Sequence, residues 1–488
     1  MSSPPVAVVR EVPKRGQGAW QTYTVAELTA GVTGKEDENK GWESLRINVS
    51  HKDLDDEKKY CKDQNQKAKS FWSGNEEQCK DEDVLNDEKK KELIEKILPE
   101  AIKLHTDRLL VKPMKTPWNV IPFENTNFCS HFTIPKKDDG KLKVDEEKLP
   151  ETNFMLYVAT GSRGNNAPRS WALTCAVDAN DNNRPIIGAM RVNPKNIAFG
   201  KGIVRLLAHE LGHALGFDYE RMNERGMITV RDIRGEDRIV VKSNKTLMKA
   251  KEHYDCDTME GVELQVTNGI DNNGPNCTHW TQRYAKDELM SITKFSVVYE
   301  NIGYYTALTI AAFEDMGFYK GKFEMAENMS WGRGAGCELI KGTYKEELEK
   351  KYPNMFCKYE GKSLCASNRM GMGTCSERES NNGDINFVTQ NEFALCTSKE
   401  LTPGYGVGRP DSWCLDTDDL VRRNNDENST SYGVCGEVRC DTGFVEVRFD
   451  DKDEWHKCDE EDQTFKPNMA AAFDYVSGKV KCPKYSEV

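Results

Sequence analysis

Apolar residues recur with a helical period along Ile203–Phe217, IVRLLAHELGHALGF. At about 100° per residue, Val204, Leu207, Leu211 and Leu215 gather on one side, and His209 and His213 stand opposite, about 40° apart. Such a helix can bury one face in a core and keep the other for polar work. Upstream, Ser44–Ser50 alternates like a strand. Asp83–Leu110 reads as a long helix with apolar Val84, Leu85, Leu93, Ile94, Ile97, Leu98, Ile102 and Leu104, which Pro99 is expected to kink or split. Three strand-like runs follow, Phe154–Ala159, Trp171–Val177 and Pro185–Val192, separated by Gly- and Asn-rich linkers. From Asp218 to about Leu264 the chain is charged and only weakly periodic. Tyr304–Tyr319 reads as a strong amphipathic helix closed by Gly317. Beyond about Lys341, cysteines cluster among short strand-like pieces such as Phe444–Phe449, and no internal repeat is found.

Length and composition narrow the class. The chain has 488 residues, enough for two or three domains with substantial cores. Its formal charge is −12, and its lysines alternate with acids, as in DDEKKYCKDQNQKAK, so nucleic acid is not an expected partner. No stretch approaches the length of a membrane span, the start has no apolar leader segment and the end has no hydrophobic anchor tail. Sixteen cysteines with no CxxC pair point to disulfides rather than a zinc knuckle, hence to an oxidising compartment. Five Asn-x-Ser/Thr sequons, at Asn48, Asn244, Asn276, Asn328 and Asn428, are glycosylation candidates that agree with an extracellular or cell-surface location.

The chemistry lies in His209, Glu210 and His213, the HExxH pattern of zinc peptidases. Neutral imidazoles at i and i+4 reach one ion, and a carboxylate beside them can take a proton from water and pass it to a leaving amine. Gly212 and Gly216 leave the histidine face uncrowded. Two histidines do not complete a catalytic zinc site. The compact signature that supplies a third His six residues on meets Tyr219 instead. A Glu at the next-helix distance would be Glu236, in a stretch that does not look helical. His253, His279 and His456 remain, and His279 is preferred: it lies in CTHWTQRYAKDELMSIT, eleven residues before Met290.

These stretches resemble the leishmanolysin family of trypanosomatid surface metalloproteases. The resemblance rests on AHELGHALGF, AKDELM, GYYTALTIAAFEDMGFY, WGRGAGC at Trp331–Cys337, KILPEAIKLHTDRL at Lys96–Leu109 and VKCPKYSEV at the end, and runs from about Gly41 to Val488. It implies an α+β, metzincin-type zinc peptidase with a twisted mixed sheet and an active-site helix. One Zn2+ per chain would be held by His209, His213 and His279, with Glu210 as general base and Met290 as the Met-turn residue beneath the metal. The implied organisation is a poorly ordered extension over 1–40, a catalytic subdomain over 41–217, a central subdomain over 218–342 and a disulfide-rich C-terminal domain over 343–488. Protein or peptide substrates follow, with host surface proteins as further partners. VVREVP at Val8–Pro13 matches the start of the family's mature form, so the inhibitory pro-segment is expected to be missing.

The sequence also departs from the pattern. An insertion of about 25 residues follows VVREVP. SITKFSVVYENIG, with Lys294, replaces a short Ala-rich stretch after Met290, which bears on substrate preference. Ile292 stands where related enzymes carry a Tyr. Cys440 is expected to lack its usual partner, and Cys277, two residues before His279, is expected to be half of a disulfide. An extended substrate is expected to pair with an edge strand formed by Pro185–Val192. Two other readings compete: an adhesion protein on the same fold, and a zinc hydrolase with a Glu as third ligand.

Overall fold

The computed structural model describes residues 8–10, 22–24, 39–113, 119–122, 126–136, 152–163, 170–197, 201–267, 277–291, 303–342, 351–352, 355–356, 363–376, 387–396, 409, 412–423, 428–441, 444–449, 454–458, 463–466 and 475–483. The chain forms two compact units, Trp42–Thr343, and Tyr344–Val488 together with Met1–Gly41.

The first unit is built on a five-stranded sheet of β1 (Ile47–Ser50), β2 (Val120–Pro122), β3 (Phe154–Ala159), β4 (Trp171–Asp178) and β5 (Arg184–Arg191), in the order β1-β3-β5-β4-β2. Strand β3 runs parallel to β1 and β5, whereas β4 is antiparallel to β5 and β2. Every residue of β3, β4 and β5 is buried, which explains why these strands read as continuous apolar runs rather than alternating ones. The Asn-rich loop between β4 and β5 turns through Asn182 and Asn183 at φ 53° and 58°, a left-handed conformation that Asn tolerates. One expectation fails here. The Pro185–Val192 run is not an edge, because β5 lies between β3 and β4; the outer strands are β1 and β2. Burial on both faces suits an interior strand, and alternation cannot show which strand ends up outermost.

The long helix over Asp83–Leu110 is shorter than expected, and its winding changes just ahead of Pro99, where a kink or split is expected. Helix α1 (Asp87–Glu92) passes through a π-helical turn at Leu93–Ile97 into α2 (Leu98–Thr106). Pro99 sits in the first turn of α2, where its missing N–H costs least, and the wide turn before it absorbs the lost hydrogen bond. Asn86 caps the start by accepting from the Lys89 N–H at 2.8 Å. Leu109–Val111, expected at the helix end, is a buried strand.

Helix α3 (Lys201–Ala214) packs on this sheet. A Cβ on Gly188 of β5 would lie 2.9 Å from the Ala214 Cβ, so glycine there permits the close approach. Thr174 of β4 donates its hydroxyl to the Ala214 carbonyl at 2.9 Å. Gly216, at φ 109°, ends the helix in a conformation that L side chains rarely adopt.

The weakly periodic stretch beyond Asp218 contains more order than its pattern shows. Strands β6 (Ile228–Ile233) and β7 (Glu236–Val241) form a hairpin through Arg234 and Gly235, both at positive φ. Helix α4 (Asn244–Tyr254) follows, and then β8 (Val262–Thr267) and β9 (Cys277–Trp280) complete a four-stranded sheet. Helix α5 (Ala307–Asp315) is shorter than Tyr304–Tyr319 and not amphipathic: Leu308 to Phe313 are all buried. Ala and Thr on its polar-looking side pack inward, as a helix surrounded by protein allows.

The second unit holds long antiparallel strands, Ser412–Arg423 and Asn428–Asp441 among them, over a core of Leu415, Leu420, Val434, Val445, Val447 and Val480. Cys365–Cys414, Cys396–Cys435 and Cys458–Cys482 fasten it; Cys61–Cys79, Cys129–Cys175 and Cys256–Cys337 fasten the first unit. The side chains of Cys277 and Cys440 lie outside the described residues, as does Ile292. Most of the 1–40 extension does too; Val8–Arg10 pairs with Thr22–Thr24. Of the sequon asparagines, Asn244 and Asn328 are exposed and Asn48 is half-buried on β1, whereas Asn276 and the side chain of Asn428 lie outside the described residues.

Candidate metal centre

Helix α3 carries His209, Glu210 and His213, and β9 carries His279. The β8–β9 pairing sets Gln265 opposite His279 and delivers that imidazole to the histidine face of α3. His209 Nε2 lies 3.2 Å from both His279 Nε2 and His213 Nε2. Ligand nitrogens about 2.0–2.1 Å from a tetrahedral zinc stand about 3.3 Å apart, so the spacing fits one ion. Among the described residues this is the one cluster of three such groups, all within 4.8 Å of one another.

The hydrogen bonds fix the tautomers. His209 Nδ1 faces the Leu289 carbonyl at 2.6 Å and His213 Nδ1 faces the Phe217 carbonyl at 2.8 Å. A carbonyl can only accept, so both Nδ1 atoms carry the proton and both Nε2 atoms present lone pairs. Two lone pairs converging at 3.2 Å repel unless a cation lies between them. The donor set therefore fits a metal, and zinc in particular, which favours neutral imidazole.

Burial keeps the rings neutral. His209 is pushed down to about 3, by desolvation first and by His213 second; His213 is pushed down to about 4 by desolvation. His279 is held well below the ordinary value by burial and then by the two other rings. Glu210 moves the other way, up to about 8, because burial disfavours its charge and a hydrogen bond from the Ala172 backbone only partly offsets this. Its Oε1 is buried with no hydrogen-bond partner among the described residues.

Met290 is fully buried against α3, and a Cβ on Gly212 would come within 2.7 Å of its Sδ. Glycine at 212 therefore makes room for the methionine as well as leaving the histidine face open. The alternative ligands are engaged elsewhere. Glu236 begins β7, His253 Nε2 meets the Trp331 carbonyl at 2.8 Å, and His456 stacks on Phe465 in the other unit.

The sequence reading overlooked His105. It is fully buried on α2, its Nε2 donates to the Ala208 carbonyl at 2.8 Å and its Nδ1 accepts from the Tyr305 hydroxyl at 2.9 Å. It braces α3 one residue before His209. A signal existed: His105 falls on the same face of α2 as buried Leu98 and Ala101.

Comparison with known proteins agrees with this geometry. The family model described as Leishmanolysin matches residues 1–394 and 395–488. Leishmanolysin of Leishmania donovani is 29% identical over 96% of this chain and 82% of its own length. That of Leishmania chagasi is 30% identical over 92% of this chain and 77% of its own. A leishmanolysin-like peptidase of Caenorhabditis elegans is 26% identical over 57% of this chain and 55% of its own. The chain thus belongs to the leishmanolysin family and is a zinc metalloendopeptidase.

Proposed function

We propose that His209, His213 and His279 hold a single zinc ion and that Glu210 is the general base of peptide-bond hydrolysis. The observation that carries this reading is the convergence of imidazole nitrogens at 3.2 Å, two of them with their protons turned away toward carbonyls. Bound zinc supplies a Lewis acid for the scissile carbonyl and lowers the pKa of water to about 7. Glu210 Oε1, buried and without a hydrogen-bond partner among the described residues, takes the proton of the attacking water and hands it to the leaving amine. The Ala172 N–H holds the same carboxyl in place. Met290 packs beneath the rings as the Met-turn residue.

The substrate edge moves from β5 to β4. Strand β2 pairs only with Ala176–Asp178, so the Trp171–Thr174 half of β4 has no strand beyond it among the described residues. That half adjoins Glu210 through Ala172. An extended peptide running along it would place its carbonyl near the triad. Six disulfides among the described residues support an extracellular or cell-surface location, and no described helix is long and apolar enough to cross a membrane.

The test measures zinc content and casein cleavage of wild type, Glu210→Ala and His279→Ala, with and without a chelator. Wild type is expected to bind one zinc and to lose activity with the chelator. Glu210→Ala should keep the zinc and lose activity by orders of magnitude, and His279→Ala should lose the zinc. Full zinc in His279→Ala, or persisting cleavage by Glu210→Ala, would refute the assignment.

A further inference from the structure

The three imidazoles come from two segments far apart in the chain, and hydrogen bonds within the protein join those segments. We propose that Glu288 is the positioning residue that locks these segments together and so tunes metal affinity. This inference rests on the ligand assignment above.

Glu288 is fully buried and ties its own turn to the start of α5. Its Oε2 accepts the Met290 N–H at 2.6 Å. Its Oε1 accepts the Thr306 N–H at 3.2 Å and the Thr306 hydroxyl at 3.0 Å, at the start of α5. Thr309 supplies a further side-chain hydrogen bond. All these donors are neutral. Burial raises this carboxyl to about 7, and the hydrogen bonds from Thr309, Met290 and Thr306 offset that only in part.

Two routes lead from Glu288 to the ligands. The first passes through the turn it grips. With Met290 N held by the carboxylate and Leu289 N bonded to the Tyr304 carbonyl at 2.8 Å, the Leu289 carbonyl is presented to His209 Nδ1. That contact holds the His209 proton on Nδ1 and its lone pair toward the metal position. The second passes through Thr309, whose Oγ1 accepts from Trp280 Nε1 at 2.9 Å; Trp280 follows His279 in β9, and its N–H bonds the Met290 carbonyl at 2.8 Å. One side chain thus connects the backbone beside His279 to the carbonyl that orients His209. Its neighbour across the turn is also constrained: a Cβ on Gly303 would lie 2.5 Å from the Leu289 Cα, so residue 303 closes over the turn only as glycine.

The experiment compares the full chain as wild type, Glu288→Gln, Thr309→Val, His279→Ala and Thr246→Ala. Glu288→Gln keeps the shape but turns an amide N–H toward a donor. Thr309→Val cuts the second route isosterically. Thr246, buried and bonded to Asp315 away from the triad, serves as a control for lost stability alone. Zinc affinity is read by chelator competition and ligand geometry by the Co2+ visible spectrum. We expect Glu288→Gln to weaken zinc by about 10–100-fold and to change the Co2+ spectrum. Thr309→Val should do the same to a smaller extent, whereas Thr246→Ala should lower Tm with zinc affinity unchanged. If Glu288→Gln and Thr309→Val bind zinc within threefold of wild type, with an unaltered spectrum, the positioning role is overturned, whatever their Tm. Should Glu288→Gln fail to fold, Thr309→Val alone decides in the same way. Zinc retained by His279→Ala would overturn the ligand assignment itself, a result distinct from the other two.

Discussion

His105 shows what a buried polar side chain contributes here. Its ring is neutral, with one nitrogen donating to a helix carbonyl and the other accepting from Tyr305, and burial lowers its pKa from 6.5 to about 4. The native state therefore binds this proton less readily than the unfolded chain. Between pH 6.5 and 4 the unfolded state carries more protons, so the stability from His105 is complete above 6.5 and is lost as pH falls toward 4. The amount is on the order of 3 kcal/mol. Gln at 105 keeps a donor and an acceptor but does not titrate. The destabilisation caused by His105→Gln in metal-free protein should thus shrink as pH drops from 6.5 to 4, measured as urea midpoints at each pH. A constant penalty would show that His105 is not buried in its neutral form. At this scale the sequence was partly legible. The i, i+4 spacing placed His209 and His213 on one face, because helical geometry is local. His105 gave only its place on the buried face of α2 and Glu288 gave nothing, since their partners Ala208, Tyr305 and Thr306 lie 103, 200 and 18 positions away.

Elements followed the same division. The buried strands β3, β4 and β5 were found close to their observed limits, because continuous apolar runs bounded by Gly- and Asn-rich linkers are a local mark. The hairpin of β6 and β7 was missed amid charged residues, although Arg234 and Gly235 sit in its turn at φ 60° and 80°. Gly235 meets nothing within 4 Å, so a substitution there strains only the backbone. Gly235→Ala is expected to lower stability by about 1 kcal/mol and to leave zinc affinity unchanged. Thermal unfolding and chelator competition on the same variant check this; a loss of zinc binding would mean that the hairpin turn is coupled to the metal centre. The π-helical turn before Pro99 belongs here too. Periodicity indicated a helix and proline indicated a break, and the chain accommodated both by widening one turn.

Across the whole molecule, cross-links and long-range pairing hold segments that local patterning leaves independent. Cys256–Cys337 closes 81 residues, from the end of α4 to the chain beyond α5, whereas Cys61–Cys79 closes 18. If stabilisation comes mainly from restricting the unfolded chain, removing the longer link costs about 1 kcal/mol more than removing the shorter. Cys256→Ala/Cys337→Ala should therefore show a lower urea midpoint than Cys61→Ala/Cys79→Ala, with each pair expected to lose roughly 2–5 kcal/mol. The reverse order would place the stabilising effect in native contacts instead.

By itself the sequence determined the two-faced helix, read as Ile203–Phe217 and observed as Lys201–Ala214, the pair of imidazoles on it with a carboxylate beside them, the buried strands and the disulfide-rich character of the chain. Each is a consequence of composition or of spacing within one segment, where the period of the backbone alone decides what shares a face. Tertiary structure decided which of the remaining histidines meets the pair, which half of β4 has no strand beyond it among the described residues, and which carbonyls face the rings. Two of those relations link distant segments directly: His209 meets the Leu289 carbonyl 80 positions on and His279 70 positions on. No period in the chain records them, because they exist only after β8 and β9 have paired and the turn at 287–291 has closed on α3 and α5.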